Sequence, residues 1–149
     1  MLTYLNNKYR EKVDGKIIKS RLDFDSDDEM IKKIDDYKPD LICVSVMTFY
    51  KNFVHRSIKV IRDRGIETPI FIGGPYPTGD YESVLKDKNI DICILGEGEI
   101  TLTELVGSMM NNKNKLPTVE ELKEIPGIAF IDRRVYKKNN LINEKKLAI

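Results

Sequence analysis

Asp40-Leu-Ile-Cys-Val-Ser-Val-Met-Thr48, Pro69-Ile-Phe-Ile-Gly-Gly-Pro-Tyr-Pro-Thr78 and Asp91-Ile-Cys-Ile-Leu-Gly-Glu-Gly-Glu99 decide the fold of this chain. Each stretch is a short apolar run that stops abruptly in small or polar residues. Helical patterns separate one from the next. Continuous apolar runs of this length are strands buried on both faces, as in parallel sheets. In open α/β sheets the loops at the carboxyl ends of such strands form the ligand crevice.

The segments around these runs complete the alternation. Leu2, Leu5, Tyr9 and Val13 recur at helical spacing, and Asp14-Gly15 closes that helix with a turn. Lys16 to Leu22 reads as a strand of mixed character, near an edge. Ser26-Asp-Asp-Glu29 is a capping-box pattern, and the helix it opens places Met30, Ile31, Ile34 and Tyr37 on one side. Pro39 forces the chain out of helix. Residues 50–64 predict a helix facing inward through Val54, Ile58 and Ile61, stopped by Gly65. Residues 73–80 are too rich in Gly and Pro for regular structure, and a short helix follows near Tyr81 to Lys86. The helix after Gly96 faces inward through Leu102, Leu105, Val106 and Met109. Val119 to Glu124 reads as a short helix. Gly127-Ile-Ala-Phe-Ile131 is a last strand, with a hairpin partner expected near Val135 and Tyr136.

Strand–helix alternation predicts an α/β three-layer sandwich with a mostly parallel sheet, Rossmann-like or flavodoxin-like, closing in a C-terminal hairpin. The usual first strand is missing, because the chain opens on a helix. The expected organisation is a domain at 1–137 and a tail or linker at 138–149.

Composition narrows the classes. The chain has 149 residues, 41% hydrophobic and 33% charged, with a net charge of +1. That balance offers no bulk attraction to nucleic acid or to a membrane surface. No apolar run is long enough for a bilayer, and no signal peptide is evident, so the cytoplasm is the expected location. The two cysteines, Cys43 and Cys93, fall in predicted buried strands and read as small hydrophobes. Two isolated cysteines cannot hold an iron–sulfur cluster. Asp23, Asp25, Asp27 and Asp28 lack the spacing of a calcium loop. Neither the dinucleotide glycine fingerprint nor the P-loop pattern occurs. Glu97 and Glu99 complement the macrodipole of the helix they open.

The loops in combination are more specific than any one of them. Ser45-Val-Met-Thr48, then Gly73-Gly-Pro-Tyr-Pro-Thr78, then Gly96-Glu-Gly-Glu99, with the terminal Gly127-Ile-Ala segment, resemble the cobalamin-binding domain that precedes the catalytic module of class B radical SAM enzymes. The resemblance covers roughly residues 2–137. It implies that Ser45, in a Ser-x-Leu-type loop written here Ser45-Val46-Met47, lies near the dimethylbenzimidazole tail of cobalamin. Gly73 and Gly74 would make room for the nucleotide tail. Gly96, Glu97 and Gly98 would line the same crevice, with Thr48 and Tyr76 as neighbours. No catalytic residue is implied.

The departures from that family are equally legible. Its cobalt-ligating Asp-x-His-x-x-Gly motif is absent, although many of its members lack it too. The single histidine, His55, stands in a different helix and reads as a helix-face residue. The cysteine triplet of a radical SAM module is also absent. The resemblance therefore implies an accessory domain whose iron–sulfur cluster and S-adenosylmethionine belong to a partner domain, in cis or in trans. The alternative is a structural or interaction module that no longer binds cobalamin. Three accounts of the missing strand stay open: the chain is part of a longer domain, residues 16–22 pair directly with 40–46, or a second copy completes the sheet as a homodimer.

Overall fold

A computed structural model describes residues 1–132 and 147–148. Its helices are α1 (Leu2–Tyr9), α2 (Asp27–Tyr37), α3 (Lys51–Asp63), α4 (Pro75–Val84), α5 (Glu99–Asn111) and α6 (Val119–Glu124). Its strands are β1 (Ile42–Ser45), β2 (Ile70–Gly73), β3 (Ile92–Ile94), β4 (Ile128–Ile131) and β5 (Leu147–Ala148). They form one sheet in the order β1-β2-β3-β4-β5. β1, β2 and β3 run parallel, and β4 and β5 are antiparallel additions. The first three strands therefore end on one edge of the sheet.

Helices cover both faces. Met30, Ile31 and Ile34 of α2 and Val54, Ile58 and Ile61 of α3 pack with Ile70 and Ile72 on one side. Leu5 of α1 and Leu102, Leu105 and Met109 of α5 pack with Phe71, Ile92, Ile94 and Phe130 on the other. Adjacent residues of β2 thus enter opposite cores, which is why its sequence is apolar without alternation. The three-layer α/β expectation is met.

Caps act locally as the sequence indicates. Ser26 Oγ accepts the Glu29 amide at 3.2 Å, and the Glu29 carboxylate accepts the Asp25 amide at 2.7 Å. α2 ends where Lys38 turns left-handed, one residue before Pro39. Thr118 and Glu121 form a complete capping box on α6.

Several expectations change. Residues 16–22 form no strand. Ser20 makes an isolated bridge to Phe24 across a turn in which Arg21 has φ 64°, and Ile17 and Leu22 are exposed. With Ile17 and Leu22 in solvent and Ile18 only half-buried, this segment presents no continuous apolar face to a sheet. Direct pairing of 16–22 with 40–46 is thereby overturned. β1 pairs with β2 alone, and no strand among the described residues lies on its outer edge. Cys93 is buried as expected, but Cys43 is exposed: β1 alternates, with Ile42 and Val44 packed on the α2–α3 core and Cys43 and Ser45 exposed, so this run is not buried on both faces. Residues 75–84 are helical despite two prolines. Pro75 sits in the first turn, where no amide is needed, and the helix kinks at Asp80, which has φ −152° and ψ 54°. The expected partner strand near Val135 and Tyr136 lies outside the described residues. Leu147–Ala148, within the segment read as a tail, pairs with Phe130 and Ile131.

Burial pushes the Cys93 thiol up to about 12. The folded protein therefore holds this proton more tightly than the unfolded chain, whose thiol titrates at about 8.5. The stabilisation is complete below that pH and is lost as pH rises toward the folded value, with a slope of up to about 1.4 kcal/mol per pH unit. Urea unfolding at about pH 8 and about pH 10 is expected to show a steeper loss for the wild type than for Cys93→Ala.

Candidate functional site

The parallel strands β1, β2 and β3 deliver three loops to one edge, and short contacts stitch those loops together. β1 and β2 are in register with Ser45 opposite Gly73. Val46, the next residue, is buried; its amide donates to Gly73 O at 3.0 Å, and its carbonyl accepts the Tyr76 amide at 3.2 Å. Thr78 links the second loop to the third. Its Oγ1 donates to Gly74 O at 2.8 Å and accepts the Gly96 amide at 3.0 Å.

The glycines in this cradle are not equivalent. Gly74 has φ 100° and ψ −170°, a region essentially closed to other residues. A Cβ there would stand 2.9 Å from Val46 O and 3.3 Å from Ser45 Oγ. The second loop can lie on the first only because this side chain is missing. Gly98 is buried, and a Cβ on it would meet Ile94 Cγ2 at 2.9 Å. Gly96 has φ 70° with open space around it, and a Cβ on Gly73 would make only ordinary contact with Ile94 at 3.8 Å. Gly74 and Gly98 thus serve close packing, Gly96 serves the turn, and Gly73 leaves a bare floor beside Ile94.

The expected site residues separate into groups. Ser45, Gly73, Gly74, Gly96 and Gly98 converge at the carboxyl edge. Glu97 is exposed on the third loop. Met47 and Thr48 are exposed where the chain leaves β1. Together with Phe49, Tyr50 and Phe53 they make an exposed, largely apolar rim, in which the rings of Phe49 and Tyr50 lie 4.5 Å apart. Tyr76 is different. Its ring is buried in the core on the α2–α3 side, and its hydroxyl meets His55 Nε2 at 3.1 Å. Burial holds its hydroxyl proton more tightly than usual. His55, read from sequence as a helix-face residue, is half-buried, with Nδ1 2.6 Å from Asp87 Oδ2. Both ring nitrogens are engaged, so His55 is not free to meet a metal at the crevice.

Thr78 is the residue the sequence reading missed. Its only sequence signal was its place four residues after Gly74, the spacing at which a helical threonine reaches back to a carbonyl.

A family model described as the B12 binding domain matches residues 11–106, a span that contains all three loops. The chain belongs to the B12-binding domain family. It is 27% identical over 130 residues to an uncharacterized methyltransferase of Pyrococcus horikoshii, covering 87% of this chain and 27% of that protein. It is 29% identical over 108 residues to the anaerobic magnesium-protoporphyrin IX monomethyl ester cyclase of Synechocystis, covering 70% of this chain and 20% of the cyclase. It is 28% identical over 109 residues to the cytidylyl-2-hydroxyethylphosphonate methyltransferase of Streptomyces wedmorensis, covering 72% and 19%. This B12-binding domain therefore spans about a quarter or less of each of these relatives. The crystal structure of an N-terminal domain from a hypothetical Thermotoga maritima protein shares the fold. The TM-score is 0.56 and the identity 21%, over 72% of this chain and 82% of that one. Among the described residues, no helix is long and apolar enough to cross a membrane.

Proposed function

We propose that this domain binds cobalamin by its nucleotide tail, in the cradle of Ser45, Gly73, Gly74, Gly96, Glu97 and Gly98. It serves a radical SAM module carried in cis or in trans, for methyl transfer or a related rearrangement. The observation that carries this reading is Gly74, whose missing side chain lets two strand-end loops close on each other beside the bare floor at Gly73. A long ligand tail needs a side-chain-free approach to backbone, which Gly73 leaves once Gly74 has brought the loops together. The family match and the names of the methyltransferase and cyclase relatives support it.

When bound, cobalamin supplies a cobalt centre able to carry a methyl group. The chain's own residues act on its periphery. Ser45 offers a hydroxyl to the tail, Gly73 admits it, Gly74 lets the second loop close on the first, and the third loop closes the far wall. The exposed rim of Met47, Phe49 and Tyr50 gives an apolar shoulder beside the cradle. The iron–sulfur cluster and S-adenosylmethionine belong to the partner module in this reading, and the surroundings are those of the cytoplasm.

Equilibrium dialysis against hydroxocobalamin, with the visible spectrum of the retained corrinoid, tests the reading. Retention with a spectral shift at micromolar concentration is expected. Absence of retention at high micromolar cobalamin would return the domain to the structural-module alternative.

A further inference from the structure

Three polar side chains from separate segments meet behind the cradle without facing it. His55 comes from α3, Tyr76 from the first turn of α4, and Asp87 from the turn after α4. His55 Nδ1 lies 2.6 Å from Asp87 Oδ2, and Nε2 lies 3.1 Å from the Tyr76 hydroxyl. The two rings meet edge-on, 5.8 Å between centroids. A carboxylate only accepts, so Nδ1 carries a proton and donates to Asp87. In the neutral ring Nε2 accepts the Tyr76 O–H, and in the protonated ring it donates to the Tyr76 oxygen, so the contact joins the two side chains in either form. Asp87 is itself fixed, because its other oxygen accepts the Asn89 amide at 3.0 Å.

The far end of this chain of bonds leads into the cradle. The Tyr76 amide holds Val46 O, and two residues later Thr78 bridges Gly74 and Gly96. Fixing the Tyr76 side chain therefore fixes the turn that joins all three loops. Pro75 and Pro77 flank Tyr76 and can donate no amide of their own, so the hydrogen bonds that tie this turn to the other loops come from Tyr76 and Thr78.

We propose that Asp87, His55 and Tyr76 form a positioning relay that holds the Gly73–Thr78 loop in the register in which the cradle receives its ligand. The ligand's identity rests on the cobalamin reading; the positioning does not.

Amide hydrogen exchange by NMR on the full chain tests this. Tyr76→Phe keeps the ring and removes the hydroxyl; Asp87→Ala removes the acceptor; Asp87→Asn keeps a carbonyl acceptor. In the first two variants, the backbone amides at positions 76 and 96 are expected to exchange about fivefold to tenfold faster, the effect of losing one hydrogen bond. Leu105 in α5 should be unchanged, and Asp87→Asn should stay near wild type. Hydroxocobalamin affinity should fall by about the same factor in Tyr76→Phe. Unchanged loop exchange, or a uniform rise that includes Leu105, would overturn the relay. Wild-type protein that fails to retain cobalamin while showing the expected exchange pattern sinks the ligand reading alone. Wild-type retention with unchanged exchange in Tyr76→Phe sinks the relay alone.

Discussion

Arg62→Ala is expected to cost about 3 kcal/mol of stability, a large share of what a domain of this size possesses. Arg62 leaves the last turn of α3 and directs its guanidinium to the amino-terminal edge of the sheet. Nη1 donates to Ile66 O at 2.8 Å and Thr68 O at 2.7 Å. Nη2 donates to Asn89 O at 3.0 Å and Asp91 Oδ2 at 3.1 Å, and Nε reaches Asn89 O at 3.3 Å. Asp91 Oδ2 also accepts the Ile70 amide at 2.8 Å, so one ion pair fixes the start of both β2 and β3. The pair is only 18% and 15% exposed, so water replaces little of what the truncation removes. Alanine would take the cation away from a largely buried carboxylate and from three carbonyls at once, and losing that charge is the main part of the effect. Arg62→Lys keeps the charge but not the planar fork, and is expected to lose about 1 kcal/mol. Urea titrations should show a lowered midpoint with an unchanged m-value, and Tm should fall by about 10 °C for alanine. An alanine variant within about 0.5 kcal/mol of wild type would refute this account.

Gly74→Ala is the second large effect and links fold to site. The new methyl must stand 2.9 Å from a carbonyl oxygen of Val46, in a backbone conformation with φ 100°. Neither the backbone of the buried Val46 nor the dihedral can give without moving the loop. A loss of about 3 kcal/mol is expected from strain and overlap together. Gly96→Ala carries only the left-handed penalty, about 1 kcal/mol, because space around it is open. Gly73→Ala meets ordinary contacts and should change stability by less than about 0.5 kcal/mol. The order Gly74, Gly96, Gly73 in unfolding free energy is the check, and retention of hydroxocobalamin should be lost in Gly74→Ala. Equal effects at all three glycines would show that the loops do not close as described.

β2 and β3 were readable because both their faces are buried, which leaves continuous apolar runs such as Ile70 to Ile72; β1 reads the same way in sequence although Cys43 and Ser45 are exposed. Capped helix starts at Ser26 and the terminal glycine strand were readable for the same local reason. The segment 16–22 misled because its apolar residues look like half a strand, and nothing local reveals that Ile17 and Leu22 face water. The prolines at 75 and 77 misled in the other direction: they break a helix interior but suit a first turn. At the site, the glycine positions could be named from sequence, but not their separate tasks.

The sequence by itself determined the α/β class, the three loops that share an edge, and the family those loops resemble, because short apolar runs and small residues at their ends are local signals. Only the tertiary structure decided which glycine is indispensable, that Tyr76 points into the core, and that His55 is held between Asp87 and Tyr76. Those facts depend on contacts between residues 21 to 32 positions apart, or on a carbonyl of one loop lying where another loop would place a methyl group. Such distances are set by how helices and strands pack, and no local pattern records them.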